Sequence, residues 1–80
     1  MNATNRKTLR KLGDKLSEAL DGLRTMGEEE LEKFEALPDG LMDTERGQLM
    51  DTVAHNLEEM ADELDEVLDR VNDIADGGEG

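Results

Sequence analysis

The sequence predicts an all-α chain. Its expected form is an antiparallel, coiled-coil-like helical hairpin with helices over about residues 4–36 and 44–75 and a turn at 37–43. Three observations carry this expectation. One strong loop signal, Leu37-Pro38-Asp39-Gly40, holds the single proline. Apolar residues on either side of it recur at helical spacing. Finally, charge is distributed so that each helix end opposes its own dipole unless the chain folds back.

In the first segment Leu9, Leu12, Leu16, Leu20, Leu23, Gly27, Leu31 and Phe34 share one face, at spacings of three and four. The extra fours loosen a supercoil locally. Gly13, Gly22 and Gly27 each weaken a helix by about 1 kcal/mol relative to Ala. Thr25-Met26-Gly27-Glu28 also fits a capping box, which would break the helix near Gly27 and give three helices. The apolar face stays in register across Gly27, and that favours one continuous helix.

At the turn, Pro38 disfavours helical geometry at Leu37, and Asp39-Gly40 reads as a turn pair. The loop is expected to run to about Asp43 or Thr44. Thr44 suits an N-cap and Glu45 a first helical turn. Gly47 is expected to let the helices approach closely, with Arg46 closing the loop on Glu35 or Asp43, or else meeting a partner.

The second segment carries Met50, Val53, Leu57, Met60, Leu64, Val67, Val71 and Ile74 in strict alternation of three and four, a heptad seam. Ala54, Ala61, Leu68 and Ala75 form a third column beside it. So wide a stripe suits a bundle better than a two-stranded coil. Asp76-Gly77 reads as the helix stop, so one domain is expected over 1–76 with a disordered tail at 77–80.

Residues 1–26 carry six bases and three acids, and residues 51–80 carry eleven acids and Arg70 alone. Folding at the turn sets Arg6–Lys15 beside Leu64–Asp76, so each misplaced set faces its opposite. Two helices still bury little, and a chain of 80 residues without cysteine has no disulfide staple. Association is the remaining route, as a homodimer making a four-helix bundle or as a hairpin completed by a partner. The expected dimer and core seam comprises Leu16, Leu20, Leu23, Phe34, Met50, Val53, Leu57, Met60, Leu64 and Val71.

Composition narrows the function. Without Cys, Trp or Tyr there is no thiol nucleophile, no cysteine zinc site and little to stack nucleic-acid bases. A net charge of −13 opposes direct nucleic-acid binding. No apolar run spans a membrane and no signal-peptide core is evident, so a cytoplasmic protein is expected. No enzyme, cofactor or metal is expected either. The carboxylates fall on solvated faces, and the spacing around Asp39, Asp43 and Glu45 fails the EF-hand pattern. The only histidine, His55, sits one turn after Asp51 and opposite the apolar seam, where it should face solvent. Met26, Met42, Met50 and Met60 read as core more readily than as an adaptable groove. Leu41 and Met42 either cap the bundle end or dock a partner.

The stretch Leu37-Pro38-Asp39-Gly40-Leu41 through Thr44-Glu45-Arg46-Gly47-Gln48-Leu49-Met50 resembles small acidic proteins of bacteriophages and prophages. In those, a Leu-Pro-x-x-Leu turn precedes Ser/Thr-Glu-Arg-Gly, a Met and an acidic helix. The resemblance covers most of the chain. It implies a helical hairpin and a mobile-element origin, and it implies no reaction. The three glycines of the first helix and the Asp-rich second helix depart from that pattern.

The acidic helix is the strongest functional feature. Glu58, Asp62, Asp65, Asp69, Asp73 and Asp76 form one row, and Glu59, Glu63 and Glu66 a second. Such rows could occupy a basic nucleic-acid-binding channel, although carboxylates spaced by helical turns, at about 5–6 Å, match B-DNA phosphates only loosely. The expected function is therefore an interaction protein that binds and inhibits a host protein, a nucleic-acid-binding or defence target. The bound surface would be Glu58, Glu59, Asp62, Glu63, Asp65, Glu66, Asp69 and Asp73, with turn contacts at Leu41, Met42 and Arg46. The alternative is a structural or assembly adaptor whose acidity serves only solubility.

Overall fold

A computed structural model describes residues 1–77, and those residues form a helical hairpin. Helix α1 spans Ala3–Glu35, a single turn α2 spans Asp39–Met42, and α3 spans Glu45–Ala75. The hairpin is a rod with principal extents of 58 × 16 × 13 Å.

Both long helices begin on a side-chain cap. The Asn2 Oδ1 accepts from the Asn5 N–H at 2.7 Å, one residue earlier than the expected start of α1. Thr44 caps α3, its Oγ1 accepting from the Gly47 N–H at 3.2 Å. The same hydroxyl donates to the Leu41 carbonyl at 2.6 Å, which ties the cap to the turn. Helix α1 runs unbroken through Gly27, so the Thr25 capping box is not used.

The turn differs from a simple loop. Asp39 and Gly40 are helical, and the Leu41 N–H donates to the Pro38 carbonyl at 2.8 Å. Pro38, at φ −57°, holds the extended position just before α2, and Asp39 supplies an acid to its first turn. The Asp-Gly pair therefore makes a helical turn.

At the far end α3 closes on Gly77, whose φ of +84° is left-handed, and its N–H donates to the Ile74 carbonyl at 3.1 Å. Gly77 is thus the helix stop read from the sequence, although residue 77 also counts there as the first of the tail. The rest of that tail, residues 78–80, lies outside the described residues.

Helices α1 and α3 do not meet along the heptad seam read from the larger side chains. The buried residues are Gly13, Leu20 and Gly27 on α1 and Gly47, Ala54, Ala61 and Ala75 on α3. Both sets recur at seven residues. The α3 column is the one read from sequence as lying beside the seam. Small residues there let the backbones approach closely: a Cβ built on Gly27 would lie 3.7 Å from the Ala54 carbonyl oxygen. The larger residues are displaced outward. Leu57, Leu64, Val71 and Met50 flank the contact half-buried, while Val53, Met60 and Val67 stand 38%, 44% and 45% exposed. Val53 and Met60, assigned to the seam, thus make no buried core within one chain.

Candidate functional site

The register assigns the flanking columns to two opposite faces. On a helix, residues three beyond a buried position lie about 50° to one side of it, and residues four beyond lie about 50° to the other. In an antiparallel pair, equivalent columns of the two helices share a face.

One face is apolar. Leu9, Leu16 and Leu23 of α1 and Leu57, Leu64 and Val71 of α3 border the seam there, all half-buried. Farther out stand Leu12 and Met26, 47% and 53% exposed, and the Val53, Met60 and Val67 row. Met26 and Met60, read as core, therefore lie open on this face. At the turn the face runs into a groove of about 360 Å³ lined by Leu37, Leu41, Thr44, Arg46, Gly47 and Met50. Leu41 is 49% exposed and Met42 half-buried. Among the described residues Arg46 makes no ion pair. Its expected closure onto Glu35 or Asp43 is not formed; the loop is closed by Thr44 and Gly47.

The other face is acidic. Glu58 and Asp65 border the seam, with Asp62 and Asp69 outside them. Arg24 reaches across from α1 to Asp65 at 3.4 Å, above a recess of about 230 Å³ lined also by Glu28, Glu58, Ala61 and Asp62. Asp65, expected on the partner-binding surface, is thus half-buried and engaged within the chain. Glu59, Glu66 and Asp73 project from the back of α3, and Glu63 lies toward the apolar side, so the eight acids wrap the helix. Helix α1 adds Asp14, Asp21 and Glu28, all exposed on this same face. Sequence reasoning passed over these three, although their spacing of seven was visible.

At the open end the α1 bases meet the α3 terminus. The Arg10 Nη2 donates to the Ala75 carbonyl at 3.0 Å and lies 3.7 Å from Asp76 Oδ1. Arg6 lies over Gly77, whose Cβ position is 3.4 Å from Arg6 Nη1. Bases that oppose the α1 dipole thereby satisfy a free carbonyl and the dipole of α3.

His55 is exposed, with Nδ1 2.9 Å from the Asp51 carbonyl and 3.1 Å from Asp51 Oδ1. The hydrogen bond to that carbonyl, and then the Asp51 charge, raise its pKa above the ordinary 6.5.

Comparison with protein-family models, curated proteins and solved structures finds no match. Among the described residues no group of three His, Asp or Glu side chains converges as a metal site requires. No described helix is long and apolar enough to cross a membrane.

Proposed function

We propose that this chain is a non-enzymatic, protein-binding module of the cytoplasm. In this reading it self-associates through its apolar face and turns its acidic face toward a basic partner. The observation that carries the reading is the separation of the two faces on one thin rod. Whatever covers the apolar side leaves Asp14, Asp21, Glu28, Glu58, Asp62 and Asp69 facing outward together. A continuous acidic ridge steers toward basic surfaces, and the surfaces most often built basic are those that hold nucleic acid. The partner is thus a nucleic-acid-binding protein of a host cell, inhibited by occupancy of its channel. The resemblance of the turn motif to that of phage-encoded acidic proteins agrees with such a role.

The test is capture from a nuclease-treated host lysate, challenged with salt and with duplex DNA. Release of a basic nucleic-acid-binding protein by either competitor is the expected result. Replacing Asp14, Asp21, Asp62 and Asp69 with their amides should abolish that capture and leave helical content unchanged. Capture that survives these changes refutes the mimic. The exposed turn groove at Leu37, Leu41 and Met50 favours one second reading, an assembly adaptor. Under it, Leu41→Asp would abolish capture and the amide changes would not.

A further inference from the structure

We infer that the apolar face is covered by a second copy of this chain, packed antiparallel, with the two turns at opposite ends of a four-helix bundle. The inference rests on the self-association proposed above and adds its geometry.

Area makes a second copy sufficient. A face of 58 by 16 Å offers a footprint of roughly 900 Å², against about 800 Å² per partner in a standard stable interface. The exposed apolar residues are placed for this use, because Leu12 and Met26 on α1 and Val53, Met60 and Val67 on α3 recur at multiples of seven along the rod. That is the repeat a further pair of helices requires.

Charge selects the orientation. Gly13 packs on Val71 and Gly27 on Leu57, so residues 22 and 62 lie level near mid-rod. The turn half, residues 22–62, carries twelve acids and three bases. The open half, residues 1–21 and 63–77, carries nine acids and six bases. Parallel copies would set two strongly acidic turn halves against each other. Antiparallel copies set each turn half against the nearly balanced open half, which lowers the repulsion. The border of the apolar face on α1 repeats the pattern, with Lys15 before Gly22 and Glu29 after it. A two-fold axis near Gly22 brings Lys15 of one copy level with Glu29 of the other. Nothing in the chain lies within 4 Å of a Cβ built on Gly22, so that point is open to a neighbour.

The test combines solution mass with a distance. The full chain carrying Asp39→Cys, and separately Glu35→Cys, is spin-labelled at the turn end, where no native cysteine interferes. Mass is read by light scattering and the label separation by double electron–electron resonance. A dimer is expected, with a label separation of about 50 Å for Asp39→Cys and about 40 Å for Glu35→Cys, twice the distance of each site from Gly22 at about 1.5 Å per residue. A dimer with labels within about 20 Å, two helix spacings, overturns the orientation and leaves self-association standing. A monomer at every concentration overturns both. It would mean that a different occupant covers the face.

Discussion

The same substitution should have opposite signs at two glycines. At Gly47 an added Cβ would lie 2.6 Å from the Met42 carbonyl oxygen and 2.9 Å from its carbon, and closer still to the Leu41 carbonyl oxygen. These are backbone atoms and cannot rotate aside. Overpacking of this kind costs about 1–3 kcal/mol. Any shift that relieves it pulls on the Thr44 cap, worth about 1 kcal/mol. The gain in helix propensity from Gly to Ala is about 1 kcal/mol at most. Gly47→Ala should therefore destabilise by about 1–3 kcal/mol. At Gly22 nothing in the same chain lies within 4 Å of the added atom, and Gly22→Ala should stabilise the single chain by about 0.5–1 kcal/mol. Each kcal/mol moves the melting midpoint of a domain this size by about 4–8 °C. Thermal unfolding followed by circular dichroism at one fixed chain concentration reads both. If Gly47→Ala melts as high as Gly22→Ala, the turn does not pack as described.

Gly13→Ala should be tolerated or stabilising by up to about 1 kcal/mol, because its Cβ would meet only side-chain atoms, at 3.4 Å and beyond. Gly13→Leu should instead lower the midpoint by forcing the helices apart, and equal midpoints would count against close packing there. Arg10→Met should cost about 0.5 kcal/mol at low salt and less at high salt, read by denaturant titration. A loss independent of salt would deny the dipole role. The His55 pKa is raised in the fold, so its contribution to stability is full below about 6.5 and is lost as pH rises through the folded value. An NMR titration should place that value above 6.5, and His55→Gln should remove this part of the pH dependence. Self-association should tighten with salt, since lengthening the Debye screen from about 3 Å to about 30 Å by dilution restores repulsion between two acidic chains. Weaker association at high salt would point to an interface held by ion pairs.

Local signals were legible in the sequence, and the rotation of the helices was not. Thr44 announced its cap, Pro38 the turn and Gly77 the stop, because each acts through neighbouring backbone. Helix α3 carries three adjacent apolar columns, and hydrophobic periodicity alone cannot say which of them meets α1. Reading the largest residues as the seam pointed to Val53 and Met60. The chain instead closes on Ala54, Ala61 and Ala75 of α3 and Gly13, Leu20 and Gly27 of α1, with Gly47 packed on the turn. Gly13 and Gly27, two of the three glycines that weaken α1 as an isolated helix, lie in this contact, and Gly22 does not. Asp14, Asp21 and Glu28 were overlooked because α3 holds the denser run of acids, and their shared face appears only once the helices are paired. Asp65 reads as one more exposed acid until Arg24 is brought across from α1.

We propose a rod with one apolar face that self-associates. Sedimentation equilibrium of the wild-type chain beside Met60→Glu/Val67→Glu decides whether it does. Both sites are exposed in the single chain, so the double variant should fold as a monomer of 8.9 kDa with its helical signal reduced only by the loss of the partner. The wild type should sediment at twice that mass. The apolar burial removed, about 1.5–3 kcal/mol per side chain, predicts at least a hundredfold weakening. Equal masses for the two proteins, whether both monomeric or both dimeric, would mean that the Met60–Val67 face does not hold two copies together.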